Sequence, residues 1–108
     1  MIIGVAGPYS APTEKQRQAN LEALNIAAAR LLERGHLPIV GVNAALPIIT
    51  YTEVDHDYEV ILSISIAIMQ SCEALLVIGD SPGVQKEKAV FTAKGLPVYY
   101  SLDEVPAV

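Results

Sequence analysis

Four short apolar runs recur along the chain, at Ile2 to Ala6, Leu37 to Val40, Ala74 to Ile78 and Pro97 to Tyr100, and a glycine lies at or near an end of each. Their residues are apolar in succession rather than in alternation, as in strands buried on both faces of a sheet. The longer segments between them carry apolar residues at helical spacing. Strands that alternate with helices form a parallel sheet covered on both sides, because two parallel neighbours need a crossover of a dozen or more residues.

The first run ends in the turn Gly7-Pro8, and residues 10–13 form a loop with capping candidates. Glu14 to Arg34 carries Leu21, Leu24, Ala28, Leu31 and Leu32 on one helical stripe, and Gly35 supplies the stop. Residues 41–57 show no clear period and are expected to be loop, with at most a short helical turn. In residues 60–69, isoleucines at 64, 66 and 68 alternate with Ser63, Ser65 and Ala67 as in a strand. The need for a crossover before the third strand nevertheless predicts a helix over residues 58–71. A last helix over residues 84–94 ends at Gly95. The expected architecture is a single α/β domain of three layers, Rossmann/flavodoxin-like, with a mainly parallel sheet of four to five strands.

Composition narrows the functional classes. A chain of 108 residues that is 52% hydrophobic is one domain, too apolar to be disordered. Twelve acidic against seven basic side chains give a net charge of −5. No basic stripe is present for a nucleic-acid polymer. The single Cys72 and two scattered histidines make neither a disulfide nor a structural zinc site, and the reducing cytoplasm is the expected compartment. The longest apolar-rich run, residues 60–69, is too short to span a bilayer, so no membrane association is expected.

In such sheets ligands bind beyond the carboxyl ends of the strands, where strand order reverses. Two turns qualify, Gly7-Pro8-Tyr9-Ser10 and Gly79-Asp80-Ser81-Pro82-Gly83. The second opens a helix whose first N–H groups lack intrahelical partners and attract polar or anionic groups. Glu87 lies four residues past Gly83, one helical turn on, near the same crevice. A carboxylate there could act as a general base or as a nucleophile toward an electrophilic sugar carbon. The local alternative makes Ser81 an N-cap, Pro82 a first-turn proline and Glu87 a solvated residue paired with Lys86 or Lys88.

Four stretches together resemble the nucleoside 2-deoxyribosyltransferase-like family, which includes deoxynucleoside 5′-monophosphate N-hydrolases and small phage-type relatives. They are Ala6-Gly7-Pro8-Tyr9-Ser10, Arg34-Gly35-His36-Leu37-Pro38, Cys72-Glu73-Ala74-Leu75-Leu76, and Ser81-Pro82-Gly83-Val84-Gln85-Lys86-Glu87 with Gly95-Leu96-Pro97-Val98. The resemblance implies that Glu87 is the nucleophile that attacks the anomeric carbon and releases the base. It implies a substrate-binding role for Ser81, where the monophosphate hydrolases contact phosphate, and close backbone approach at Gly83. Gly7 would lie under the sugar and base, Tyr9 would wall the pocket, and Pro8 and Ser10 complete that turn. Dimers or higher homo-oligomers are implied as well.

Three positions depart from the family pattern. Gly4 stands where the family commonly has a tyrosine that positions the nucleophile. Ser65 stands where it has an aspartate that touches sugar or relays a proton, a task a serine cannot perform at neutral pH. The hydrolases' first-turn arginine is also missing. Asp57 is the candidate replacement for the acid, in a loop with Glu53, Asp55, His56 and the following Glu59; that loop could equally be a solvated surface or a weak cation site. His36 and Cys72 read as packing residues, and Tyr99 and Tyr100 as strand neighbours facing opposite ways. The sequence thus supports an N-glycosidase or deoxyribosyltransferase-like protein acting on a small nucleoside or its 5′-monophosphate, an activity for which no metal or redox cofactor is expected. Its rival is a nucleotide-binding or regulatory module that keeps the crevice without catalysis.

Overall fold

The computed structural model describes residues 1–53 and 58–108. The expected strands form, with slightly trimmed ends: β1 (Ile2–Ala6), β2 (Leu37–Ile39), β3 (Ala74–Val77) and β4 (Val98–Tyr99). Four helices accompany them: α1 (Glu14–Glu33), α2 (Gly41–Ile49), α3 (Tyr58–Met69) and α4 (Pro82–Ala93), with a 3-10 turn at Leu102–Glu104. The sheet has four strands in the order β2-β1-β3-β4, every pair parallel. This is a Rossmann/flavodoxin-like α/β fold whose strand order reverses between β1 and β3.

Alternation along the central strands assigns side chains to two cores. Ile3 and Val5 of β1, with Ala74 and Leu76 of β3, face Leu24, Ala28 and Leu31 of α1. Ala6, Leu75 and Val77 point the other way, toward Met69 of α3 and Val84 and Phe91 of α4. The helix ends follow local chemistry. The Thr13 side chain accepts from Gln16 N at the start of α1, and Gly35 continues past its end at φ +90°, a left-handed conformation that disfavours a Cβ.

One segment corrects the sequence reading. Residues expected to be loop form α2, entered directly from Val40 without a side-chain cap. Its buried side chains, Val42, Ala45 and Ile49, do have helical spacing. That spacing is hidden in the sequence by the exposed Pro47 and Ile48 in the same helix. In α3 the Ile/Ser alternation is overridden: Ile61, Ser65 and Met69 form its buried stripe at intervals of four. Glu53 is exposed, and Glu59 is exposed in the first turn of α3. Asp55, His56 and Asp57 lie outside the described residues. Among the described residues no helix is long and apolar enough to cross a membrane.

Candidate functional site

The turns after β1 and β3 meet at the point of strand reversal. Ile78 N donates to Ala6 O at 2.9 Å and holds the two strand ends together. Both turns need glycine for this approach. A Cβ on Gly7 would stand 2.6 Å from Ile78 Cγ1, and one on Gly79 would stand 2.9 Å from Pro8 Cδ. Beside them opens a cavity of about 160 Å³. Gly7, Pro8, Tyr9 and Ser10 line it from the first turn, Ser81 and Gly83 from the second, Glu87 from α4, and Ser65 from α3. All eight described residues singled out in the sequence therefore share one cavity; the ninth, Asp57, lies outside the described residues.

Glu87 is the chemical centre of this cavity. It is 8% exposed on the inner face of α4, and Ser65, 3% exposed on α3, donates its hydroxyl to Glu87 Oε2 at 2.6 Å. Burial pushes the Glu87 carboxyl above the usual carboxylate range, and the bond from Ser65 pulls it part of the way back. The local alternative is thus half right. Ser81 is the N-cap of α4, accepting from Val84 N at 3.2 Å, and Pro82 opens the first turn. Glu87 is not a solvated partner of Lys86 or Lys88; those cations lie over the rings of Tyr58 and Tyr100.

The position of Ser65 depends on close helix packing. A Cβ on Gly41, the first residue of α2, would fall 2.0 Å from Ser65 Oγ and 2.6 Å from its Cα. Only glycine lets α2 come this near to α3 and press Ser65 toward α4. On the opposite sheet face from α1, the space beyond Gly4 is filled by Leu75, Cys72 and Met69 at 3.4–3.5 Å from where a Cβ would stand. A tyrosine at position 4 would collide with these three side chains.

Sequence reasoning missed Tyr58, Ile61, Leu62 and Val42, which also line the cavity. The signal for Tyr58 was its place seven residues before Ser65, two helical turns along one face. A second hollow of about 680 Å³ adjoins the first, sharing Tyr9, Ser10, Tyr58 and Ile61 and extending to Arg17 and Gln18 of α1. The Arg17 guanidinium there donates to Ala11 O at 2.8 Å and pairs with Glu14 at 2.9 Å. Among the described residues the inner cavity is lined by no lysine, arginine or histidine, and no group of three or more metal-ligating side chains is present.

Residues 1–102 match the family model described as a domain of unknown function (DUF1937). The chain belongs to the DUF1937 family. Its site therefore sits inside the region that defines the family, since every lining residue from Gly7 to Glu87 falls within the match. None of the curated proteins matches the chain.

Other residues read as structural from the sequence have packing roles. His36 is buried, with Nδ1 3.1 Å from the Met1 amino nitrogen and Nε2 2.9 Å from Pro106 O, and so ties both chain ends to β2. Cys72 is buried beside Met69, and burial raises its thiol pKa, which suits a packing residue and not a thiolate. Tyr99 packs on the α1 side of the sheet while Tyr100 is exposed.

Proposed function

We propose that this protein is an N-glycosidase of the nucleoside 2-deoxyribosyltransferase type, acting on a small nucleoside with Glu87 as nucleophile. The observation that carries the reading is the buried Glu87 carboxylate, held by Ser65 in a small cavity at the point of strand reversal. A carboxylate is kept in so apolar a place at a cost to stability, which is a common property of reactive groups. The cavity suits one ring, since a hollow of about 150 Å³ holds a benzene-sized molecule. A sugar ring fits there, and the larger adjoining hollow between Tyr9, Tyr58 and Arg17 would take the base.

In this mechanism one Glu87 oxygen attacks the anomeric carbon, a carbon–oxygen bond forms, and the glycosidic carbon–nitrogen bond breaks with its electron pair passing to the base. The base takes a proton from solvent. Water, or a second base in a transferase, then attacks the same carbon and frees the carboxylate. Ser65 orients the carboxylate and favours its ionised form, the task that the resemblance assigns to a β1 tyrosine for which Gly4 leaves no room. The uncharged nucleoside is the favoured substrate over its 5′-monophosphate, because among the described residues that line the inner cavity a phosphate dianion would meet Glu87 and no cation, with the Ser81 hydroxyl and the start of α4 to receive it.

The test is base release from a panel of deoxynucleosides, ribonucleosides and their 5′-monophosphates, followed by chromatography, with Glu87→Ala as control. Release that vanishes in the variant supports the reading. No release from any substrate, at protein concentrations comparable to substrate, overturns it and leaves the binding module as the working account.

A further inference from the structure

Tyr58 carries the one buried side-chain polar atom among the described residues that has no hydrogen-bond partner, its hydroxyl oxygen. Buried hydroxyls are nearly always paired, so this one calls for an explanation. Its surroundings fix the ring and leave the hydroxyl unused. A Cβ on Gly83 would stand 2.9 Å from Tyr58 Oη and 3.2 Å from Cε2, so any side chain at 83 would push the ring aside. The Lys86 ammonium lies 5.8 Å from the ring centroid, within the range of a cation–π contact. The same ring borders both the inner cavity and the adjoining hollow.

Two contacts between α3 and α4 therefore bracket the cavity. Ser65 meets Glu87 at one, and Tyr58 meets Gly83 at the other. Gly83 and Glu87 are one turn apart on α4, a rise of roughly 6 Å, which is the scale of a single sugar ring. We propose that Tyr58 is a ligand-contacting, specificity-determining residue, its hydroxyl bonding a sugar oxygen of a nucleoside whose anomeric carbon faces Glu87. This rests on the reading of the site as a nucleoside pocket. It adds that recognition runs through the sugar's hydroxyl groups.

The test compares Glu87→Gln with Glu87→Gln/Tyr58→Phe, a background that binds without turnover. Calorimetric titration uses 2′-deoxyadenosine, thymidine, adenine and thymine as probes, and urea unfolding of both proteins runs alongside. Loss of one hydrogen bond to the ligand raises Kd for both nucleosides about tenfold or more and leaves the free bases unchanged. The unfolding midpoint stays the same or rises, because the hydroxyl has no partner in the protein to lose. Equal nucleoside affinity in the two proteins overturns the role of Tyr58 while leaving the site reading intact. A similar weakening for the free bases, or a lowered midpoint, also overturns it, by assigning the hydroxyl to base contact or to the fold. Failure of Glu87→Gln to bind either nucleoside overturns the pocket reading and this inference with it.

Discussion

Replacing Ser65 with alanine removes one oxygen and leaves the buried Glu87 carboxylate without the bond that holds it at 2.6 Å. Alanine is smaller, so the close approach of Gly41 is not disturbed. A hydrogen bond to a charged group contributes about 1.5–3 kcal/mol, a neutral one about 0.5–1.5 kcal/mol. Where Glu87 is ionised the variant loses the larger amount, about 2 kcal/mol, or roughly 8 °C in Tm for a domain of this size. Burial raises the Glu87 pKa and Ser65 lowers it, so the variant's pKa moves further up. As pH falls through the folded-state value the carboxyl protonates, and the cost of the substitution shrinks toward that of a neutral bond. Urea unfolding of both proteins at several pH values measures this, and the acid limb of any base-release profile moves to higher pH in the variant. A stability difference that is independent of pH, or below about 0.5 kcal/mol throughout, would refute the claim that Ser65 supports a charged Glu87.

Two further outcomes follow from the same geometry. Glu87→Gln lowers base release on the order of a thousandfold or more, yet raises Tm at neutral pH. The sign comes from linkage: the folded-state pKa lies above the unfolded one, so wild-type stability falls as pH rises through that window, and the glutamine variant escapes this loss. The gain in Tm closes below the usual carboxylate range; a variant less stable than wild type at neutral pH would contradict it. Gly41→Ala forces α2 away from α3 at Ser65 and costs about 1–3 kcal/mol by overpacking, measured by urea unfolding, whereas an alanine variant as stable as wild type would show the contact to be slack.

The centre of the sheet was legible because β1 and β3 are short apolar runs ended by a turn residue, a pattern that burial on both faces imposes. The crevice was legible for the same reason, since parallel topology alone puts the turns holding Gly7 and Ser81 side by side. Helix α2 was not, because Pro47 and Ile48 blur a stripe that only its packing on α3 selects. Glu87 could be read as reactive or as solvated, and what excludes the solvated reading, its burial and its bond to a residue on another helix, has no local signature. Tyr58 was missed on the same ground. Its significance comes from Gly83, twenty-five positions further along the chain.

The central claim is that Glu87 forms a covalent bond to the sugar. Incubation with 2′-deoxy-2′-fluoroarabinosyl nucleosides, whose fluorine slows hydrolysis of a glycosyl-enzyme, followed by mass spectrometry of peptides, tests it directly. The account predicts release of free base together with a peptide containing Glu87 that is heavier by one fluoropentosyl group, and neither product with Glu87→Gln. Base release with an adduct on another residue, or the same release from Glu87→Gln, would contradict it.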